Sequence, residues 1–259
     1  MSYIEKINSI LKPAQNQNPL AIDLFAGCGG LSLGFESQGF ENVRGLLYRN
    51  RWYFDEIIQE LRQLNYIVEW KLLNAVNFGI PQNRERLIVV GHRGKFKFPR
   101  TGDRQITAGE ALGELVFDVP SESKFLTPSM DRYVAKYEKA SACKRPRDLH
   151  LDRPSRTLTC RNLAGATGDM HRIKLPDGRR RRLFIREAAR LQSFPDWFEF
   201  IGGETSCFNQ IGNAVSPLFA FHLAGSIRNY LESSYRLTPK EIVKFGDPIQ
   251  LSLPILEKI

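Results

Sequence analysis

Residues 20–47, LAIDLFAGCGGLSLGFESQGFENVRGLL, limit the fold more than any other part of the chain. An apolar run over residues 20–25 enters a glycine-rich turn, Ala26-Gly27-Cys28-Gly29-Gly30. An amphipathic segment follows, marked by Leu31, Phe35 and Phe40. Strand, glycine turn and helix, in that order, open nucleotide-binding α/β folds. Glycine allows a sharp bend and a close backbone approach, and the helix N-terminus offers unpaired N–H groups. Many glycine turns only connect two elements, so the pattern alone leaves both readings open. Gly39 is a natural helix stop.

With 259 residues, 42% of them hydrophobic, the chain can bury one large domain and a smaller appendage. A net charge of +9 favours a polyanionic partner without requiring one. Cys28, Cys143, Cys160 and Cys207 lie far apart with no CxxC pair, which argues against a zinc site or a disulfide framework and suits a reducing compartment. No apolar run is long enough to span a membrane, and the first residues are too polar for a signal peptide. A soluble, cytoplasmic protein with no membrane partner is expected.

Taken in order, residues 1–19 read as a short helix with Ile4, Ile7, Ile10 and Leu11 on one face, then a polar linker. Tyr53, Phe54, Ile57, Ile58, Leu61 and Leu64 recur at helical spacing and predict a core-facing helix. Residues 67–73 and 87–90 read as strands, the second a continuous apolar run suited to a buried position. Between them lies LNAVNFGIPQNRER, in which alternating Arg84 and Arg86 can share one side of an extended chain. Two guanidinium groups so placed could hold a phosphate or a base carbonyl, although a charged hairpin loop is the plainer reading.

Thr107-Ala108-Gly109-Glu110 has the form of a capping box before a short helix reaching Leu115, and residues 128–140 read as a second helix. Basic residues then crowd together: Lys144, Arg145, Arg147, Arg153, Arg156, Arg161, Arg172, Lys174 and residues 179–182. A solvated face and a DNA-facing surface explain such a run about equally well. REAARLQSFP, residues 186–195, reads as a helix ended by Pro195. QIGNAVSP, residues 210–217, reads as a turn before a closing helix with Pro217 in its first turn and Leu218, Phe221, Leu223 and Ile227 facing inward.

Several of these strings together resemble the DNA cytosine-5 methyltransferase family, of bacterial restriction–modification type. DLFAGCGGLSLGF is similar to its first motif, LNAxxFGxPQxRxR to its eighth, DRPSRTLT (residues 152–159) to its ninth and QIGNAVSP to its tenth; REAARLQSFP is among its most recognisable strings. The resemblance implies a Rossmann-like α/β domain that binds S-adenosylmethionine, with a small, mostly irregular target-recognition domain inserted in it. The divisions expected are 1–97 and 184–235 for the catalytic domain, 98–183 for target recognition and 236–259 for a tail. The implied cofactor contacts are Phe25, Gly27, Cys28 and Gly30, with Asn213, Ala214 and Val215. Glu41 would hydrogen-bond a flipped cytosine in double-stranded DNA at N3 and its amino group, while Arg84 and Arg86 would hold the nucleotide. No metal is implied.

One block of the family's pattern is missing. Glu41-Asn42-Val43 resembles a motif that normally lies well downstream of the glycine loop, yet here the two are nearly joined. The nucleophilic cysteine should follow a proline, and the chain contains no Pro-Cys; nor does it carry the acidic residue that holds the cofactor's ribose. The missing block also implies a sheet short of several central strands. The resemblance therefore implies a methyltransferase shortened by an internal deletion, with no methylation expected from this chain alone. The alternatives are a non-catalytic DNA-binding remnant, half of a complementing pair whose partner carries the Pro-Cys loop, and, more weakly, a tRNA cytosine-5 methyltransferase.

Overall fold

The computed structural model describes residues 1–11, 51–102, 104–140, 147–165 and 168–235. The glycine loop with Phe25, Gly27, Cys28 and Gly30, then Glu41, and the tail over 236–259 lie outside the described residues.

Helix α1 (Tyr3–Ile10) starts at a capping box, in which Ser2 Oγ accepts from the Glu5 N–H and Glu5 accepts from the Ser2 N–H. Its buried residue is Ile7. Helix α2 (Arg51–Gln63) buries Ile58; Leu64, just past its end, is exposed. Strands β1 (Ile67–Asn74) and β3 (Glu85–His92) pair antiparallel from Ile67↔His92 to Asn74↔Glu85. The apolar run in β3 is not a buried strand as predicted: its residues are half-buried and Val89 is exposed. Among the described residues β3 has β1 as its one strand neighbour. Between them a 3-10 turn (Ala75–Phe78) ends at Gly79, whose φ of +75° is in the left-handed region that glycine tolerates, and the short β2 (Gln82–Asn83) follows.

Helix α3 (Ala108–Leu112) starts at the predicted capping box and continues as a 3-10 turn, and α4 (Pro128–Ala140) has the predicted bounds. Strand β4 (Ser155–Arg156) pairs parallel with β2; then come α5 (Cys160–Ala164), the hairpin β5 (Arg172–Lys174) and β6 (Arg180–Arg182), α6 (Ile185–Leu191), α7 (Glu204–Asn213) and α8 (Pro217–Tyr235). The described strands form two-stranded sheets only. The main core joins Ala108, Leu112, Leu158 and Ile173 to Ala188, Leu191, Phe208 and Ile211, so residues 108–175 and the helices α6 and α7 share one interior. A second core packs Ile7, Leu73, Phe78 and Ile80 against Leu218 and Phe219 of α8.

Helix α8 corrects one expectation. Leu218 is buried, but Phe221 and Ile227 are 49% and 50% exposed. The inward face is set by Leu218, Phe219 and His222, the last two with rings 5.2 and 5.5 Å from Phe78. At 3.6 residues per turn Phe221 and Ile227 fall about 100° or more to either side of that face. No helix among the described residues is long and apolar enough to cross a membrane.

Candidate functional site

The QNRER strand leaves a closed loop. Asn74 caps the 3-10 turn through Val76 N–H (3.3 Å), accepts from the Arg84 N–H (3.1 Å) and donates to Asn83 Oδ1 (2.5 Å). The loop's base is closed again by Ala75 N–H on the Arg84 carbonyl. The two arginines do not share one side. Arg84 is 4% exposed, with Nη1 donating to the Leu158 carbonyl (2.6 Å) and Nη2 to those of Gly212 (3.2 Å) and Ala214 (3.3 Å). A guanidinium taken out of water needs such acceptors, and here main-chain oxygens supply them. Arg86 is half-buried and donates to the Glu85 carbonyl at 2.7 Å.

Around Arg84 lies a buried node of amides. Gln82 Nε2 donates to the Leu191 carbonyl and to Gln192 Oε1 (2.5 Å), and its Oε1 accepts from the Leu158 N–H (3.1 Å). Gln192 Nε2 donates to the Ile211 and Ala214 carbonyls at 3.2 and 2.8 Å. Leu158 is therefore gripped on both its N–H and its C=O by side chains two residues apart in the chain, Gln82 and Arg84, and the Ala214 carbonyl accepts from two. Next to it Ser193, at φ +64°, meets Ser216 Oγ at 2.5 Å and accepts from the Leu218 N–H. The turn over residues 214–216 is pinned from both sides, and Val215 projects from it 60% exposed. Gly212 does not bend this turn. It ends α7 against the start of α5, where a Cβ would stand 2.3 Å from the Cys160 nitrogen.

Among the arginines of residues 147–182, Arg172 and Arg181 are buried, Arg147, Arg156, Arg180 and Arg182 are half-buried, and Arg153, Arg161 and Arg179 are exposed. Arg172, with no exposed side-chain surface, pairs with Asp148 (2.5 Å) and Glu138 (3.0 Å); Arg180 pairs with Asp148 and Asp131, both at 3.0 Å. Arg147 and Arg156 share Asp169. Arg181 makes a two-pronged, fully buried pair with Glu187, at 2.8 and 2.7 Å. Much of the basic run is thus neither a solvated face nor a DNA surface but the frame of the segment. Lys144 and Arg145 lie outside the described residues.

A cleft of about 780 Å³ separates the QNRER loop from this frame. Asn77 and Asn83 line one side; Gln105, His150, the exposed Arg153 and the buried His171 line the other. Burial, then the charge of Arg156, pushes His171 down to about 3, so the ring is neutral. Its Nε2 faces the Thr157 carbonyl at 3.4 Å and therefore carries the proton.

The sequence reading missed Gln82, Gln192, Ser193, Ser216 and His171 as functional candidates. Gln192 and Ser193 stood inside REAARLQSFP, a string read as a helix and its stop. The available signal was polar residues adjoining an apolar helix face just before a proline.

The fold is of the α/β class. Two solved structures share it: the Dnmt2 methyltransferase of S. pombe (TM-score 0.53, 16% identity, 71% of this chain and 61% of that one) and the methyltransferase EhMeth of Entamoeba histolytica (TM-score 0.50, 17% identity, 70% and 58%). The profile of the C-5 cytosine-specific DNA methylases matches residues 39–229, and the chain belongs to that family. The Type II methyltransferase M.AplI of Arthrospira platensis is 55% identical over 219 residues, 83% of this chain and 62% of its own length. M.BsuRI of Bacillus subtilis is 32% identical over 223 residues, 75% of this chain and 50% of its own length. The chain thus spans between half and 62% of these relatives.

Proposed function

We propose that this chain is the frame of a DNA cytosine-5 methyltransferase that binds S-adenosylmethionine and duplex DNA but transfers no methyl group by itself. One observation carries the reading. The eighth, ninth and tenth motifs are knitted by a complete buried hydrogen-bond node, while the sequence contains no Pro-Cys. Cytosine C5 is a poor nucleophile, and attack on a methyl donor requires prior addition of a thiolate at C6 to a base taken out of the stack.

S-adenosylmethionine, when bound, supplies the methyl group. The described part of its site fits: Val215 offers an exposed apolar surface for a purine face, and Asn213 beside it a half-exposed amide. Phe25, Gly27, Cys28 and Gly30 complete that site in the proposal. Glu41 holds N3 of the flipped cytosine, Arg86 its O2 or phosphate, and Arg84 the strand that carries Arg86. Residues 1–97 and 184–235 form the catalytic domain. The segment 98–183 recognises the target across the cleft, with Gln105, His150 and Arg153 facing the duplex.

The test is methyl transfer from labelled S-adenosylmethionine to mixed-sequence DNA, with the intact mass of the protein measured in the same tube. No label is expected, together with DNA binding that weakens steeply with salt. Labelled 5-methylcytosine from a protein of the 259-residue mass would overturn the proposal and send the search for a nucleophile back to the four cysteines.

A further inference from the structure

The buried node joins two places that the proposed function gives to different ligands. At one end the Ala214 carbonyl accepts from both Gln192 and Arg84, one residue before Val215. At the other end Arg84 lies two residues before Arg86 on one extended stretch of chain. Both Nε2 hydrogens of Gln192 are used on carbonyls and its Oε1 is used by Gln82, with all three groups buried. A buried network whose donors and acceptors satisfy one another has few alternative arrangements, and displacing one member displaces the others.

From this geometry we infer that Gln192 and Arg84 are positioning residues that couple donor binding to nucleotide binding. The inference rests on the functional reading above. Either ligand, by ordering its end of the node, removes freedom that the second would otherwise have to remove, so each tightens the other. The Ser193–Ser216 contact keeps the turn from relaxing on its far side, so the strain of a move passes through Ala214 to Arg84. Neither residue touches a ligand in this account. Both act through the Ala214 carbonyl and the strand of Arg86.

Calorimetry on the whole chain tests it: the affinity for a mixed-sequence duplex is measured with and without saturating S-adenosylmethionine, in the wild type, Gln192→Met and Arg84→Lys. Met matches glutamine in length without its donors, and Lys keeps the charge with a single point of donation. The donor is expected to tighten DNA binding by at least about fivefold in the wild type. In both variants that ratio is expected to fall towards one while each ligand still binds separately. Unfolded protein lowers the binding stoichiometry read in the same titrations, so the ratio is compared only where the stoichiometry of the variant equals that of the wild type; there a merely structural role leaves it unchanged. An unchanged ratio in the two variants overturns the inference and leaves the functional reading standing. A wild type that binds neither ligand overturns that reading, and the inference with it.

Discussion

Replacing Gly212 with alanine asks how closely α7 must approach α5. A Cβ there would stand 2.3 Å from the Cys160 nitrogen, 2.6 Å from the Thr159 carbonyl carbon and 2.9 Å from the Cys160 Cα. All three are backbone atoms, and ordinary carbon contacts begin near 3.5 Å, so α5 would have to retreat by about 1 Å. It cannot do so alone. Thr159 caps α5 through Asn162, and the preceding Leu158 is held by Gln82 and Arg84. Overpacking of this kind costs about 1–3 kcal/mol, and a weakened bond from a buried charge about 1.5–3 more. The better helix propensity of alanine returns about 1 kcal/mol. The expected net loss is about 1.5–5 kcal/mol, or roughly 3–20 °C in Tm for a chain of this size. Gly225 is the control. It sits exposed within α8, where an added methyl would meet nothing within 4 Å, so Gly225→Ala gains up to about 1 kcal/mol. Urea and thermal unfolding of the two variants side by side give the answer. If Gly212→Ala is as stable as Gly225→Ala, the helices do not meet as described.

Two further perturbations probe the frame. Glu187→Met or Arg181→Met should cost about 3–5 kcal/mol, since either leaves a buried partner uncompensated, and the double variant Arg181→Met/Glu187→Met should recover part of it; additive losses in urea unfolding would refute the pairing. His171 gives a pH signature. Its folded value, about 3, lies below the ordinary 6.5, so between those values the unfolded chain binds the extra proton and stability falls as pH falls. From pH 7 to pH 5 the loss attributable to His171 is about 2 kcal/mol at about 1.4 kcal/mol per pH unit, and His171→Phe should lose that much less than the wild type over the same interval.

What the sequence made legible was local. The Thr107–Glu110 cap and the bounds of α4 follow from side chains a few residues apart, and the structure contains both. The family strings after residue 39 were legible as well, and they fall inside the family profile's match over residues 39–229; the glycine loop lies ahead of that match. The fates of the arginines were not, because their partners are remote. Arg84 reaches carbonyls 74, 128 and 130 residues away, and Arg172 reaches acids 24 and 34 residues away. Nothing in a run of basic residues says which of them will meet a buried carboxylate. The faces of α8 and β3 were misjudged for a related reason. Periodicity lists the apolar residues of an element but not how many neighbours the fold supplies to cover them.

The grip on Leu158 has a consequence for how this protein opens. Its amide belongs to no helix or strand, and by appearance it should exchange with solvent as freely as a loop. Its hydrogen is nevertheless held by Gln82 in the interior, and its carbonyl by Arg84. Deuterium could enter there only when the strand of Gln82, the end of α6 and the turn after α7 part together. Among the described residues, a knot of side chains drawn from three distant stretches of sequence would then be a slow-exchanging unit.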